Sequence, residues 1–290
     1  MNEPFPALAR FAANESTPAS SVKICRVFGV SYARLNLQEA VDHICDRPQR
    51  APFAYVATPN AVHVVGVNRN DPYFVASVEG AYMRTCDSQI VRLFAWLLFG
   101  IRLPRAAGSD ITRVLFDSRI SPTDPLCVIG GTKEMAERLR RKYGLKRLVQ
   151  HIPPQGFIFN PQAVAECAAF VRAHPSRFVF LACGAPQSEA LGLYIAENGG
   201  ASGLGLCIGA SLLFITGLIR RAPKLWRDAG LEWLYRLLQE PRRLARRLFT
   251  GQLPFLWVAL HYRIDAWSIG RRKEPGRAKG TGQHSPREFL

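Results

Sequence analysis

Four short apolar runs, Phe53 to Ala57, Leu126 to Ile129, Phe178 to Cys183 and Leu204 to Ile208, are each followed by helical material. That alternation constrains the fold more than anything else in the chain. Apolar runs of this length suit strands buried on both faces, and strands that alternate with helices assemble into a parallel sheet. The helices carry their own punctuation. Thr132 stands after Gly130-Gly131 as an N-cap for a helix to Tyr143, and Pro161 opens another that runs to Ala173. Gln187 to Glu197 repeats the strand, turn, helix theme, and Ala81 to Cys86 reads as a strand ahead of a helix over Ser88 to Leu98. The predicted class is α/β, with a mainly parallel sheet flanked by helices. Ligands of such sheets settle beyond the carboxyl ends of the strands, which selects the loops Thr58-Pro59-Asn60, Asp87, Gly130-Gly131, Gly184-Ala185-Pro186 and Gly209-Ala210.

A chain of 290 residues, 48% of them hydrophobic, can bury a full core. The expected organisation is a flexible N-terminus (1–22), an α/β domain (23–218), a basic amphipathic helical appendage (219–270) and a disordered tail (271–290). The 38 Lys and Arg exceed the 22 Asp and Glu by 16, and residues 219–279 alone hold 15 of the basic residues against 5 acidic ones. Such an excess attracts polyanions: anionic headgroups, lipid diphosphates or nucleic acid. No recognised DNA or RNA motif accompanies it, so nucleic acid is not an expected partner. The longest apolar runs, Leu93 to Ile101 and Leu253 to Leu260, fall far short of the roughly 20 residues that span a bilayer. Met1 to Ser21 has no apolar core of the kind a signal peptide needs, and the seven cysteines lie singly, as buried thiols in a reducing compartment do. The expected location is therefore cytoplasmic.

Between Gly217 and Arg243 aromatic anchors are interleaved with arginines: Trp226, Trp233 and Tyr235 among Arg220, Arg221, Arg227, Arg236, Arg242 and Arg243. Arginine grips phosphate oxygens in a planar fork, while Trp and Tyr favour an interface between apolar and wet surroundings. Leu231, Leu234 and Leu238 form an apolar stripe, and Pro241 opens a second helix on which Arg242, Arg243, Arg246 and Arg247 share a face. Together these features suit a diphosphate at a membrane surface.

Three other patterns bear on the chemistry. Gly203-x-Gly205-x-x-x-Gly209 has the wrong spacing for a dinucleotide fingerprint and brackets a strand instead of following one. There is no D-x-D sequence to hold a metal for nucleotide-sugar transfer, nor a His or Cys set with metal-ligand spacing, so no metal and no cofactor is expected. Asp87 stands at a helix start, where capping is the ordinary role of an aspartate.

Several blocks taken together resemble the bacterial WecG/TagA/CpsF glycosyltransferases. They are Thr58-Pro59-Asn60, Asp87, Arg105-Ala-Ala-Gly108-Ser109-Asp110, Gly184-Ala185-Pro186-Gln187-Ser188-Glu189, Arg220-Arg221-Ala222-Pro223 and the long stretch from Gly230 to Leu244. The resemblance covers about Lys23 to Phe249. It implies a Rossmann-like sheet and transfer of a sugar to a polyprenyl-diphosphate-linked acceptor. By that match Asp87 is the general base, and Thr58 and Asn60 line the substrate pocket. Arg105, Gly184, Pro186, Gln187 and Gly209 contact substrate, while Arg221, Arg236, Arg242 and Arg243 meet the diphosphate. Departures are visible too: Ser188 stands where the family has Gln, Cys86-Asp87-Ser88 replaces Pro-Asp-Gly, and the acid expected after Gly209-Ala210 has become apolar. The implied protein is an inverting, UDP-sugar-dependent transferase in surface or exopolysaccharide assembly, peripheral on the inner face of the membrane. A non-catalytic binder of nucleotide sugar or lipid diphosphate is the alternative, and homo-oligomerisation stays open.

Overall fold

The computed structural model describes residues 22–219 and 251–272. The expected N-terminal arm, the tail and most of the appendage, including Arg221, Arg236, Arg242, Arg243 and the helix expected after Pro241, lie outside the described residues.

A small antiparallel hairpin, β1 (Ile24–Val27) and β2 (Val30–Ala33), precedes α1 (Leu37–Asp46). The first strand of the main sheet, β3 (Ala54–Ala57), leads through α2 (Ala61–Asn68) and α3 (Pro72–Glu79) to β4 (Met83–Arg84). Two helices, α4 (Gln89–Phe99) and α5 (Gly108–Ser118), connect β4 to β5 (Leu126–Gly130). Then follow α6 (Lys133–Tyr143), β6 (Leu148–His151), a 3-10 turn (Phe157–Phe159), α7 (Pro161–Ala173), β7 (Phe178–Ala182), α8 (Gln187–Glu197), β8 (Leu204–Cys207) and α9 (Ser211–Ile215). The last described helix, which we number α10, spans Leu253–Arg272.

The six strands of the main sheet are all parallel, in the order β4-β3-β8-β7-β5-β6. Side chains alternate across it, as a strand period of two demands. Val56, Leu126, Val128, Phe178, Phe180, Leu204 and Leu206 face α1, α5, α6 and α9 in one layer of core. Tyr55, Cys127, Ile129, Val179, Leu181 and Cys207 face α7 and α8 in the other. A third cluster joins the hairpin to α2, α4 and α10, around Phe28 and Phe255. Neither the hairpin nor β6, whose LVQH sequence lacks a continuous apolar run, is anticipated from the residues alone. Strand β4 is also shorter than its apolar run.

The reason lies beyond Arg84. Thr85 N–H still donates to Ala57, but the Cys86 carbonyl turns away to accept from Ala106 N–H at 3.3 Å. Arg84 itself is buried and donates to the carbonyls of Ser31, Val78, Glu79 and Ala81. Its guanidinium thus ties the hairpin, the end of α3 and β4 into one unit, and burial lowers its pKa from the ordinary arginine value. A buried charge is tolerated here because its donors find acceptors.

Candidate active site

Thr58, Pro59 and Asn60 leave the carboxyl end of β3, at the boundary with β8. The Thr58 hydroxyl donates to the Cys207 carbonyl at 3.3 Å and so bridges the two strand ends. Asn60 caps α2: its Oδ1 accepts from Val62 N–H at 2.9 Å, which leaves the side-chain amide nitrogen as its donor group. Asn60 N–H donates to His63 Nδ1 at 3.2 Å, so the neutral ring carries its proton on Nε2. That nitrogen lies 3.3 Å from Glu189 Oε1. Both residues are buried, and the approach is too poorly aligned to count as a hydrogen bond. The contact is electrostatic. It connects the start of α2 to the first turn of α8.

Asp87 follows β4, half-buried. The cap of α4 is Ser88, whose hydroxyl accepts from Val91 N–H. The segment that carries Arg105 lies directly alongside. Thr85 Oγ1 donates to the Ala106 carbonyl at 2.7 Å, and the Ala106–Cys86 bond fixes the same two loops. Arg105 is held 3.5 Å from the carboxylate of Asp110, which also stands 3.8 Å from Arg113. Helix α5 begins on Ala107 with no side-chain cap. Its first residue, Gly108, abuts Thr58: a Cβ there would come within 3.1 Å of Thr58 Oγ1 and 3.3 Å of its Cγ2. Glycine is what allows the helix start and the β3 loop to meet.

The third loop runs from Gly184 into α8 through a cis Ala185–Pro186 peptide. Ser188, where the resemblance leads one to expect glutamine, is buried; its hydroxyl donates to the Leu181 carbonyl and accepts from Cys183 N–H. It is occupied in holding the turn. Gln187 is half-buried, and α8 starts on Pro186 without a side-chain cap. Gly209 follows β8 with a positive φ of 52°, and Ser211 turns its hydroxyl back to the Ile208 carbonyl.

Thr58, Asp87, Arg105 and Gly209 therefore ring one end of β3, β4 and β8, with Gly184, Pro186 and Gln187 on the adjoining β7 loop. Among the described residues, no three His, Cys, Asp or Glu side chains are grouped as metal ligands would be. A family model described as the glycosyl transferase WecG/TagA/CpsF family matches residues 25–268, most of the chain. The chain belongs to this glycosyltransferase family.

Membership in the WecG/TagA/CpsF family makes the carboxyl edge the place to look for sugar transfer. It leaves Arg84 and His63 unexplained, and for Gly108 and Glu189, which stand in the blocks that carry the resemblance, it does not give the contacts with Thr58 and His63. The partners of all four are far away in sequence, and the sole local signal is His63 lying three residues after a capping Asn. All seven cysteines are free, four of them buried and Cys25, Cys45 and Cys183 half-buried. Burial pushes the Cys86 thiol, next to Asp87, up to about 12, so it remains protonated at neutral pH.

Proposed function

We propose that the protein is an inverting glycosyltransferase that moves a hexose or N-acetylhexosamine from a UDP-sugar to a saccharide on a polyprenyl diphosphate. Asp87 accepts the proton of the acceptor hydroxyl as its oxygen attacks the anomeric carbon. The bond from that carbon to the UDP oxygen breaks in the same displacement, and UDP departs with the electron pair. Arg105 and the peptide N–H groups at the starts of α5 and α8, which have no side-chain cap, suit the growing negative charge on the diphosphate. Thr58, Asn60 and Gln187 orient the sugar and nucleotide, with Gln187 favoured over Ser188 because the serine hydroxyl is already engaged. Gly184, Pro186 and Gly209 shape the donor loops. Arg221, Arg236, Arg242 and Arg243 are assigned to the lipid diphosphate on their sequence pattern.

A single observation carries this reading. Asp87 follows β4 at the carboxyl edge of the sheet, in the loop that Thr85 and Cys86 tie to Ala106, the neighbour of Arg105. Acting at a lipid-linked acceptor, the enzyme is peripheral to the membrane, and among the described residues no helix is long and apolar enough to cross one. The test is a screen of UDP-sugars against lipid-linked mono- and oligosaccharides, with and without EDTA. A glycosylated lipid product formed equally well with EDTA supports the reading, whereas no product from any pair, or activity that only Mg²⁺ or Mn²⁺ restores, contradicts it.

A further inference from the structure

Helix α4 is usually expected to bury its apolar residues, yet three of its largest lie open to solvent: Leu93 at 48%, Trp96 at 49% and Leu97 at 58% exposure. Their spacing of three and four places them on one face, opposite the buried Val91 and Ala95. Helix α10 repeats the pattern. Leu253, Leu256, Trp257 and Leu260 are exposed, with Trp257 at 64%, while Phe255, Val258 and Ala259 are buried.

Helix α10 packs on α2 and shares a core cluster with α4. Phe94 of α4 meets Phe255 of α10 edge to face at 5.8 Å, and Phe28 of the hairpin touches Phe99, Phe255 and Tyr262. The inward faces thus share one core, and the outward faces form two neighbouring stripes of Leu and Trp. Isolated exposed leucines are ordinary, but seven large apolar side chains in paired helical stripes mark an interaction surface.

The charge around it selects the partner. From Ser88 to Ser109 the charged residues are Arg92, Arg102 and Arg105, and the sequence of α10 carries Arg263, Arg271 and Arg272 with one carboxylate, Asp265. Arginines outnumber carboxylates six to one across the two stretches. Two copies of this face pressed together would set arginine against arginine, whereas an anionic lipid surface satisfies the arginines and takes up the apolar stripes. Trp96 and Trp257 add the side chain that prefers the headgroup level.

We infer that the α4/α10 face is a membrane-docking ridge that dips into the headgroup layer of an anionic bilayer. The inference rests on the proposed lipid-linked acceptor and specifies how the protein meets it. Both helices start at the site: Ser88, the cap of α4, follows Asp87, and Gly251 packs against Val62, two residues beyond Asn60. A protein docked on this ridge holds its carboxyl-edge loops at the level of a lipid diphosphate. The arginines of residues 219–250 add attraction, and the ridge is the part that enters the lipid.

Co-sedimentation of the full chain with phosphatidylglycerol vesicles, at low and high salt, tests this. Wild type should bind, and a fraction should stay bound at high salt, because screening weakens the arginine contacts but not apolar insertion. Trp96→Glu with Trp257→Glu should reduce binding by about tenfold or more and abolish the high-salt fraction, while turnover of a water-soluble acceptor analogue is kept. Leu97→Gln with Leu256→Gln, a milder pair, should weaken binding in the same direction should the first pair fail to fold. Unchanged vesicle binding by folded variants overturns the ridge but leaves the transferase reading intact. So does a wild-type dimer that the substitutions dissociate without affecting vesicle binding. Failure of the wild type to bind any vesicle also overturns the ridge, and only additional failure to glycosylate any lipid-linked acceptor overturns the proposed function.

Discussion

The two halves of the sheet are put together differently. In the outer half, β5 and β6 with α6 and α7, the polar side chains at the helix starts act on their own helix. Thr132 caps α6 and Asn160 caps α7, and Gly144 ends α6 in a left-handed conformation just after Arg140, Arg141 and Lys142 in its last turn. In the inner half, β3, β4 and β8, Asn60 and Ser88 still cap α2 and α4, but further polar groups reach across the chain. Thr58 bonds to β8, Thr85 to the start of α5, Arg84 to the hairpin and the end of α3, and His63 lies against α8. Helices α5 and α9 begin there on Ala107 and Ala210 with no side-chain cap. Local signals build a frame, and a site is made where side chains give up local duties for distant or chemical ones.

The comparison is broken most directly at Asp87. Asp87→Asn should lower transfer about a hundredfold to ten-thousandfold in a protein that still folds, since the carboxylate that accepts the proton is lost. A fall in stability of the size seen on losing a cap, about 1 kcal/mol, would place Asp87 in the frame after all.

Next in size is the buried pair of the inner half. His63→Leu strands the Glu189 carboxylate in the interior and deprives Asn60 N–H of its acceptor. The expected loss is about 1–3 kcal/mol in denaturant unfolding, since a buried donor loses its partner, with transfer falling as the α2 and α8 loops come apart. Glu189→Gln should cost less, about 0.5–1.5 kcal/mol, because Asn60 N–H keeps its acceptor. Equal small effects of both substitutions would remove the pair as a link between the loops.

Two glycines sharpen the contrast further. Gly108→Ala should reduce turnover roughly tenfold through a displaced Thr58, below the hundredfold that a full ångström of misplacement costs. Gly144→Ala, at φ 63° with open space around it, should cost about 1–2 kcal/mol of stability and leave turnover alone. The smallest effect concerns Cys86. With its thiol pushed up to about 12, iodoacetamide at pH 7.5 should leave it unlabelled in the native protein. Its high folded value stabilises the protein below the ordinary thiol range, and that contribution fades as pH climbs toward 12.

These differences also explain what the sequence discloses. The helix over Pro161–Ala173 and the helix over Gln187–Glu197 are legible to the residue, as is the Thr132 cap, because each rests on neighbours within one or two turns. The carboxyl-edge loops are equally legible, since each follows an apolar run. Strand β6 is not: its partner β5 supplies the pairing that its own composition does not announce. The Glu189–His63 contact, the Arg84 cluster and the exposed faces of α4 and α10 depend on chain segments that periodicity cannot bring together. The run Leu93 to Ile101 reads as too short to span a membrane, which is correct, but only packing reveals that one side of it stays open.

The central claim is a single displacement at the anomeric carbon with Asp87 as base. The most direct measurement is the anomeric configuration of the product by NMR, after transfer from a UDP-sugar to a lipid-linked acceptor. The account predicts a product of inverted configuration, formed by the wild type and nearly absent with Asp87→Asn. A product of retained configuration, or equal yields from both proteins, would contradict it.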